Sequence, residues 1–209
     1  MGQQQQEYIP TAKPKSRIGL TLGGGFGFED IDMGEVDNGD KLTLSTGGGY
    51  TIGAEYGYEF NRHFDLSFNG FFQSSSLSQE VKNGSATFDR IALLVTPALV
   101  IPIKGGDYYR LKLGAGIGYY SSIEMDIKAA KAKNGGNYVL KYDPTIGYHA
   151  SIIFNSNFSD KGSFSFGLKY YAVNYKFTKT GNIESVSEEK VNKPNGSGID
   201  FIMGYYYHF

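Results

Sequence analysis

Hydrophobic and polar residues alternate along most of this chain, and the alternation falls into eight blocks. In the last, Gly198–Phe209, Ile199, Phe201, Met203, Tyr205, Tyr207 and Phe209 fall on one side. Asp200, Ile202, Gly204, Tyr206 and His208 fall on the other. Successive side chains of a strand point to opposite faces, so such a block predicts a strand with one greasy and one mostly polar face. The other seven are Arg17–Phe28, about Thr43–Phe60, Phe64 to about Gln73, about Phe88–Ile103, Tyr108–Ser122, Tyr138–Phe154 and Ser163 to about Tyr175. The fourth is the least amphipathic. Its β-branched residues, with Pro97 and Pro102, favour a strand over a helix.

The connections alternate too. Those after the first, third, fifth and seventh blocks are long and polar: 29–42, 74–87, 123–137 and 176–197. Those after the second, fourth and sixth are short, at Asn61-Arg62-His63, Gly105-Gly106-Asp107 and Asn155–Gly162. An even strand count with short turns at one end and long loops at the other predicts an all-β protein: an eight-stranded antiparallel up-and-down transmembrane β-barrel. Residues 1–16, with Pro10 and Pro14, read as a flexible N-terminal arm, and 17–209 as the barrel.

The polar face carries Arg17, Glu55, Glu59, Asp65, Arg90, Arg110, Lys112, Lys141, Asp143, Lys169 and Asp200, and many of the strand glycines. In an eight-stranded barrel the lumen is just wide enough for side chains to fill. Long charged chains there need small neighbours, and buried charges need partners. The expectation is a lumen charge network, with Glu55 pairing Arg110 or Lys112. Aromatics near strand ends (Tyr50, Phe60, Phe64, Tyr109, Tyr119, Phe154, Phe164, Tyr207, Phe209) read as interfacial girdles.

Composition agrees. No stretch approaches the ~20 apolar residues of a membrane helix, but barrel strands show lipid only every second residue. The absence of cysteine excludes disulfides and thiolate metal sites. A net charge of -1 gives no bulk basic surface for nucleic acid. No charged-then-apolar signal segment opens the chain. Met1-Gly2 before Gln3–Gln6 reads as a start placed on a signal-trimmed mature terminus.

Three stretches carry a family resemblance: Gly19-Leu20-Thr21-Leu22-Gly23-Gly24-Gly25, Leu113-Gly114-Ala115-Gly116-Ile117-Gly118-Tyr119, and the terminal Gly204-Tyr205-Tyr206-Tyr207-His208-Phe209. With them, residues 17–209 resemble the small eight-stranded outer-membrane barrels (OmpA transmembrane-domain-like and OmpX-like), and most of all the porin-family barrels of Bacteroidetes. The resemblance implies a Gram-negative outer-membrane location. It also implies partners: lipid and lipopolysaccharide around the barrel, and the barrel-assembly machinery reading Tyr205, Tyr207 and Phe209 during biogenesis.

Candidate chemistry is sparse. His149-Ala150-Ser151 has the spacing of the His-x-Ser pair in lipid A deacylase barrels, and a His base beside a Ser hydroxyl is the minimum for acyl transfer. Parity turns both into the lumen, in the lower half of a descending strand, with no carboxylate to orient the imidazole. Loop 29–42 is acidic (Glu29, Asp30, Asp32, Glu35, Asp37, Asp40), and Asp37-Asn38-Gly39-Asp40 offers oxygens to calcium without the full calcium-loop spacing. Lys128, Lys131 and Lys133 could meet lipopolysaccharide phosphates. His63, His149 and His208 lie too far apart in register for a metal site. The reading is a non-enzymatic, cofactor-free barrel with a filled lumen, recognising extracellular ligands through its four loops. The rivals are a narrow gated pore and a soluble lipocalin-like barrel.

Overall fold

The computed structural model describes residues 15–35, 41–79, 84–103, 108–129, 136–178 and 193–209. Its strands are β1 (Ser16–Gly27), β2 (Asp30–Glu35), β3 (Lys41–Ser45), β4 (Gly49–Asn61), β5 (Phe64–Ser76), β6 (Gly84–Pro102), β7 (Tyr109–Ala129), β8 (Gly136–Tyr142), β9 (Thr145–Asn157), β10 (Gly162–Ala172) and β11 (Gly198–His208). Eight of them, β1, β4, β5, β6, β7, β9, β10 and β11, pair antiparallel in that order, and β11 returns to β1 to close a barrel. Closure leaves these eight strands no open edge in the membrane, which an isolated hairpin in lipid could not achieve.

The faces are inverted relative to a soluble protein. Leu20 is 70% exposed, Phe201 60% and Ile117 53%, while Arg17, Asp65 and Lys112 are buried inside. The apolar belt runs round the barrel through Leu22, Ile52, Phe68, Val95, Leu113, Ile152, Phe166 and Met203. At its short-turn end aromatic rings gather, with Phe164 5.1 Å from Phe158 and 5.3 Å from Tyr205. A continuous apolar surface of this extent marks contact with membrane rather than water. A lipocalin-like arrangement needs the opposite polarity.

At the long-loop end the structure departs from the expected boundaries. Residues 123–129 and 136–137 are strand, not polar loop: β7 runs on to Ala129, and β8 pairs with its upper half. Connection 29–42 contains the β2–β3 hairpin, while β6 extends into 74–87. The expected second strand is two pieces, β3 and β4, parted at Thr46-Gly47-Gly48, where Gly49 adopts φ 108°. The expected sixth strand is also two, β8 and β9, parted at Asp143-Pro144. Pro144 has no N–H to give a ladder, and it restricts the residue before it.

These breaks reverse the faces. Below its bulge, β7 turns Arg110, Lys112, Gly114 and Tyr120 inward; above it, Ile123 and Met125 point in. Ile91 pairs with Ser121 and Asp89 with Glu124, so Arg90 stands opposite two residues, Ser122 and Ile123. Ser122 takes up the extra residue at φ 49°. One inserted residue switches every later side chain to the other face. The Asp143-Pro144 break does the same, so Leu140 and Tyr142 face inward and His149 faces inward below. Above this level the barrel is therefore greasy inside. Ile31, Leu44, Phe88, Ile123, Met125, Leu140, Tyr142, Val173 and Tyr175 form one buried cluster, each large apolar chain contributing roughly 1.5–3 kcal/mol. Beyond Val173 the chain continues β10 up the wall: Asn174 bridges Asn195 and Phe177 bridges Tyr142, and the backbones of Asp143 and Lys141 bond to those of Lys176 and Thr178.

Candidate functional site: the lumen

The lumen is filled in tiers. At the short-turn end Arg17 of β1 meets Glu55 of β4 at 2.9 Å and Asp65 of β5 at 2.8 Å. Lys112 of β7 reaches the same Asp65 at 2.5 Å. Arg110 Nη1 donates to both Glu59 oxygens at 2.7 Å. Glu55 also accepts from the Tyr206 hydroxyl at 3.3 Å, and the Arg17 guanidinium lies 5.6 Å from that ring's centre. Gly57 makes room for this cluster: a Cβ there would run into the Arg17 guanidinium. Glu55 thus pairs with Arg17, not with Arg110 or Lys112. The pairs span the barrel, and strand register, not sequence proximity, selects them.

Above lies a polar cavity of about 50 Å³, room for a few waters. Thr21, Ser67, Asn69, Thr96, Ser151 and Lys169 are among its lining residues. His149 sits beside it and shares a 2.7 Å hydrogen bond with Thr96 Oγ1. Because β9 begins at Thr145, His149 is in the upper half of its strand, not the lower. Its Nδ1 has no hydrogen-bond partner, so no carboxylate orients the ring.

The upper tier is built on Arg90, 1% exposed. Its guanidinium lies 4.6 Å from the ring centre of Tyr171, 5.3 Å from that of Tyr120 and 5.9 Å from that of Tyr175. Nε donates to Gln73 Oε1 at 2.6 Å and Nη1 to the Gly196 carbonyl at 2.8 Å and to the Tyr175 hydroxyl. Gln73 Nε2 donates to the Tyr171 hydroxyl at 3.1 Å, and that hydroxyl lies 3.0 Å from Asp200 Oδ1 and also meets the Gly47 carbonyl. The tier ties β5, β6 and β11 to the wall segments that carry Tyr175 and Gly196.

Two residues expected in the lumen lie outside it. Lys141 is exposed and pairs with Glu124 at 3.1 Å; Asp143 is exposed and accepts from Thr178 at 2.5 Å. The parity reversal at Asp143-Pro144 puts them there. Sequence reasoning missed Gln73, Asn69 and the buried tyrosines. Tyr171, Tyr175 and Tyr206 had a signal, since each sits on the polar side of its block. Tyr205, Tyr207 and Phe209 lie on the outer face, each 45–59% exposed. Lys128 is exposed, with Asp126 at 3.4 Å. Asp37–Asp40, Lys131 and Lys133 fall outside the described residues. Among the described residues no cluster of His, Asp and Glu could hold a metal ion.

No family model matches the sequence, and no curated protein matches it significantly. Solved structures do resemble it. The outer membrane protein OprG from Pseudomonas aeruginosa superposes with a TM-score of 0.57 at 16% identity, over 94% of this chain and 97% of that one. Neisserial surface protein A superposes with a TM-score of 0.56 at 10% identity, over 95% of this chain and 100% of that one. The fold is that of the small eight-stranded outer-membrane barrels.

Proposed function

We propose that this chain is an integral protein of the bacterial outer membrane with a closed lumen, acting at its extracellular rim. The observation that carries the reading is the double inversion of side chains. Apolar residues face outward below Ser122 and inward above it, which sets a membrane boundary at that level. Below the boundary the barrel anchors in lipid. Above it, β2–β3, β7–β8 and the continuation of β10 through Phe177 form a folded platform of strands held by its own apolar core. A rigid platform presents loops for recognition better than unsupported chain does, and ligands would meet the connections it carries. Lipid and lipopolysaccharide surround the belt. Tyr205, Tyr207 and Phe209, which face outward, would be what the assembly machinery reads. One structurally similar protein is a neisserial surface protein, which agrees with a surface role.

No acyl-transfer role is proposed for His149 and Ser151, because the imidazole bonds to Thr96 and is unoriented on its other nitrogen. A gated pore is the alternative within the same fold. The test is cell fractionation with heat-modifiable gel migration, followed by planar-bilayer recording of the full chain. The expected outcome is an outer-membrane protein whose unheated form migrates faster and which shows no steady open events. A soluble, heat-unmodifiable protein would overturn the membrane assignment. Steady conductance would overturn the closed lumen.

A further inference from the structure

The middle cavity does not balance its charge. Three cations line it, Arg17, Lys112 and Lys169, against two anions, Glu55 and Asp65. Arg17 and Lys112 are taken up by Glu55 and Asp65 at 2.5–2.9 Å. That leaves Lys169. Its register neighbour on β11 is Asp200, but Asp200 is engaged by Tyr171 and Gln73 in the upper tier. Among the described residues Lys169 makes no ion pair within 4.0 Å and no side-chain hydrogen bond; its ammonium lies 5.5 Å from the centre of the Phe71 ring, and Glu55 and Asp200 attract it only from a longer range. Its side chain is partly accessible, and it lines the cavity. Asn69 lines the same cavity; it is 4% exposed, and both its Nδ2 and its Oδ1 lack a partner. Buried amides are nearly always satisfied, and an unpaired buried ammonium is costlier still.

The unmet demand is mostly for an acceptor: an ammonium and an amide NH2, with the hydroxyls of Thr21, Ser67, Ser151 and Ser165 on the same wall. About 50 Å³ holds a halide-sized ion with a water or two. We propose that the lumen binds one small inorganic anion of chloride size between Lys169 and Asn69. The anion neutralises the cavity's excess charge and takes the Asn69 amide proton. A water alongside it gives Asn69 Oδ1 its donor. The site goes beyond the surface role and stands or falls independently of it.

Crystals of the full chain grown in bromide, with anomalous data collected at the bromine edge, test the site. The expected result is one lumen peak within hydrogen-bond reach of Lys169 Nζ, lost in a folded Lys169→Met protein. Waters without anomalous signal in the wild type, or a peak that survives Lys169→Met, would overturn the proposal. Thermal unfolding in chloride against gluconate, at constant ionic strength, gives a second readout. The wild type should gain stability saturably with chloride and Lys169→Met should not; an equal response in both would count against the site.

Discussion

Asp65 holds two cations at once, Arg17 and Lys112, from strands on either side of its own. Removing one member of a buried ion pair leaves the other charge uncompensated, and the cost runs to about 3–5 kcal/mol. Asp65→Asn should therefore destabilise the barrel by about that amount, read from the urea midpoint of the heat-modifiable band in lipid vesicles. Glu55→Gln should cost far less, because Arg17 keeps Asp65. Equal losses in the two variants would contradict the assigned geometry. That Arg110 points inward was legible from its place between Tyr109 and Leu111, since parity is a local property. That Glu59 receives it was not, because β4 and β7 are not neighbours in the sheet and only closure brings them face to face.

The bulge in β7 decides what the upper barrel contains. Ser122 holds φ 49°, a left-handed conformation costing roughly 1–2 kcal/mol for residues other than glycine. A β-branched side chain suits it least. Ser122→Val should lower stability by about 1–2 kcal/mol, and Ser122→Gly should be neutral or slightly stabilising. Hydrogen exchange should show the Val effect concentrated in β7 above Ser122 and in β8, with the belt below unaffected. Loss spread evenly over the barrel would mean the bulge is not a local hinge between two differently solvated halves. The alternation Ile123, Met125, Ile127 was visible in the sequence. Its direction was not, because a pattern of period two looks the same whichever face is buried, and the insertion that flips it is one unremarked serine.

At the scale of the molecule, two barriers stand in series: the Asp65 cluster toward the short-turn end and the Arg90 cage below the mouth. Asp65→Asn or Arg90→Met alone should leave planar bilayers silent, and the double variant should conduct. Conduction by either single variant would show that only one tier seals the lumen. The belt offers a further check. Leu22→Arg sits mid-strand on the outward face, where an arginine in lipid costs about 2–4 kcal/mol. On a barrel in water the same change would be nearly silent, so the unfolding midpoint in vesicles separates the two environments.

The sequence by itself determined the strand count, the up-and-down order and which residues of the lower barrel meet lipid, because each follows from alternation and loop length along a continuous stretch. Only the tertiary structure decided which charges pair across the lumen, which cation is left over, and where the inside turns from ionic to greasy. Those depend on shear, closure and two short interruptions, at Ser122 and at Asp143-Pro144, and each of these acts between segments that the chain's own order keeps apart.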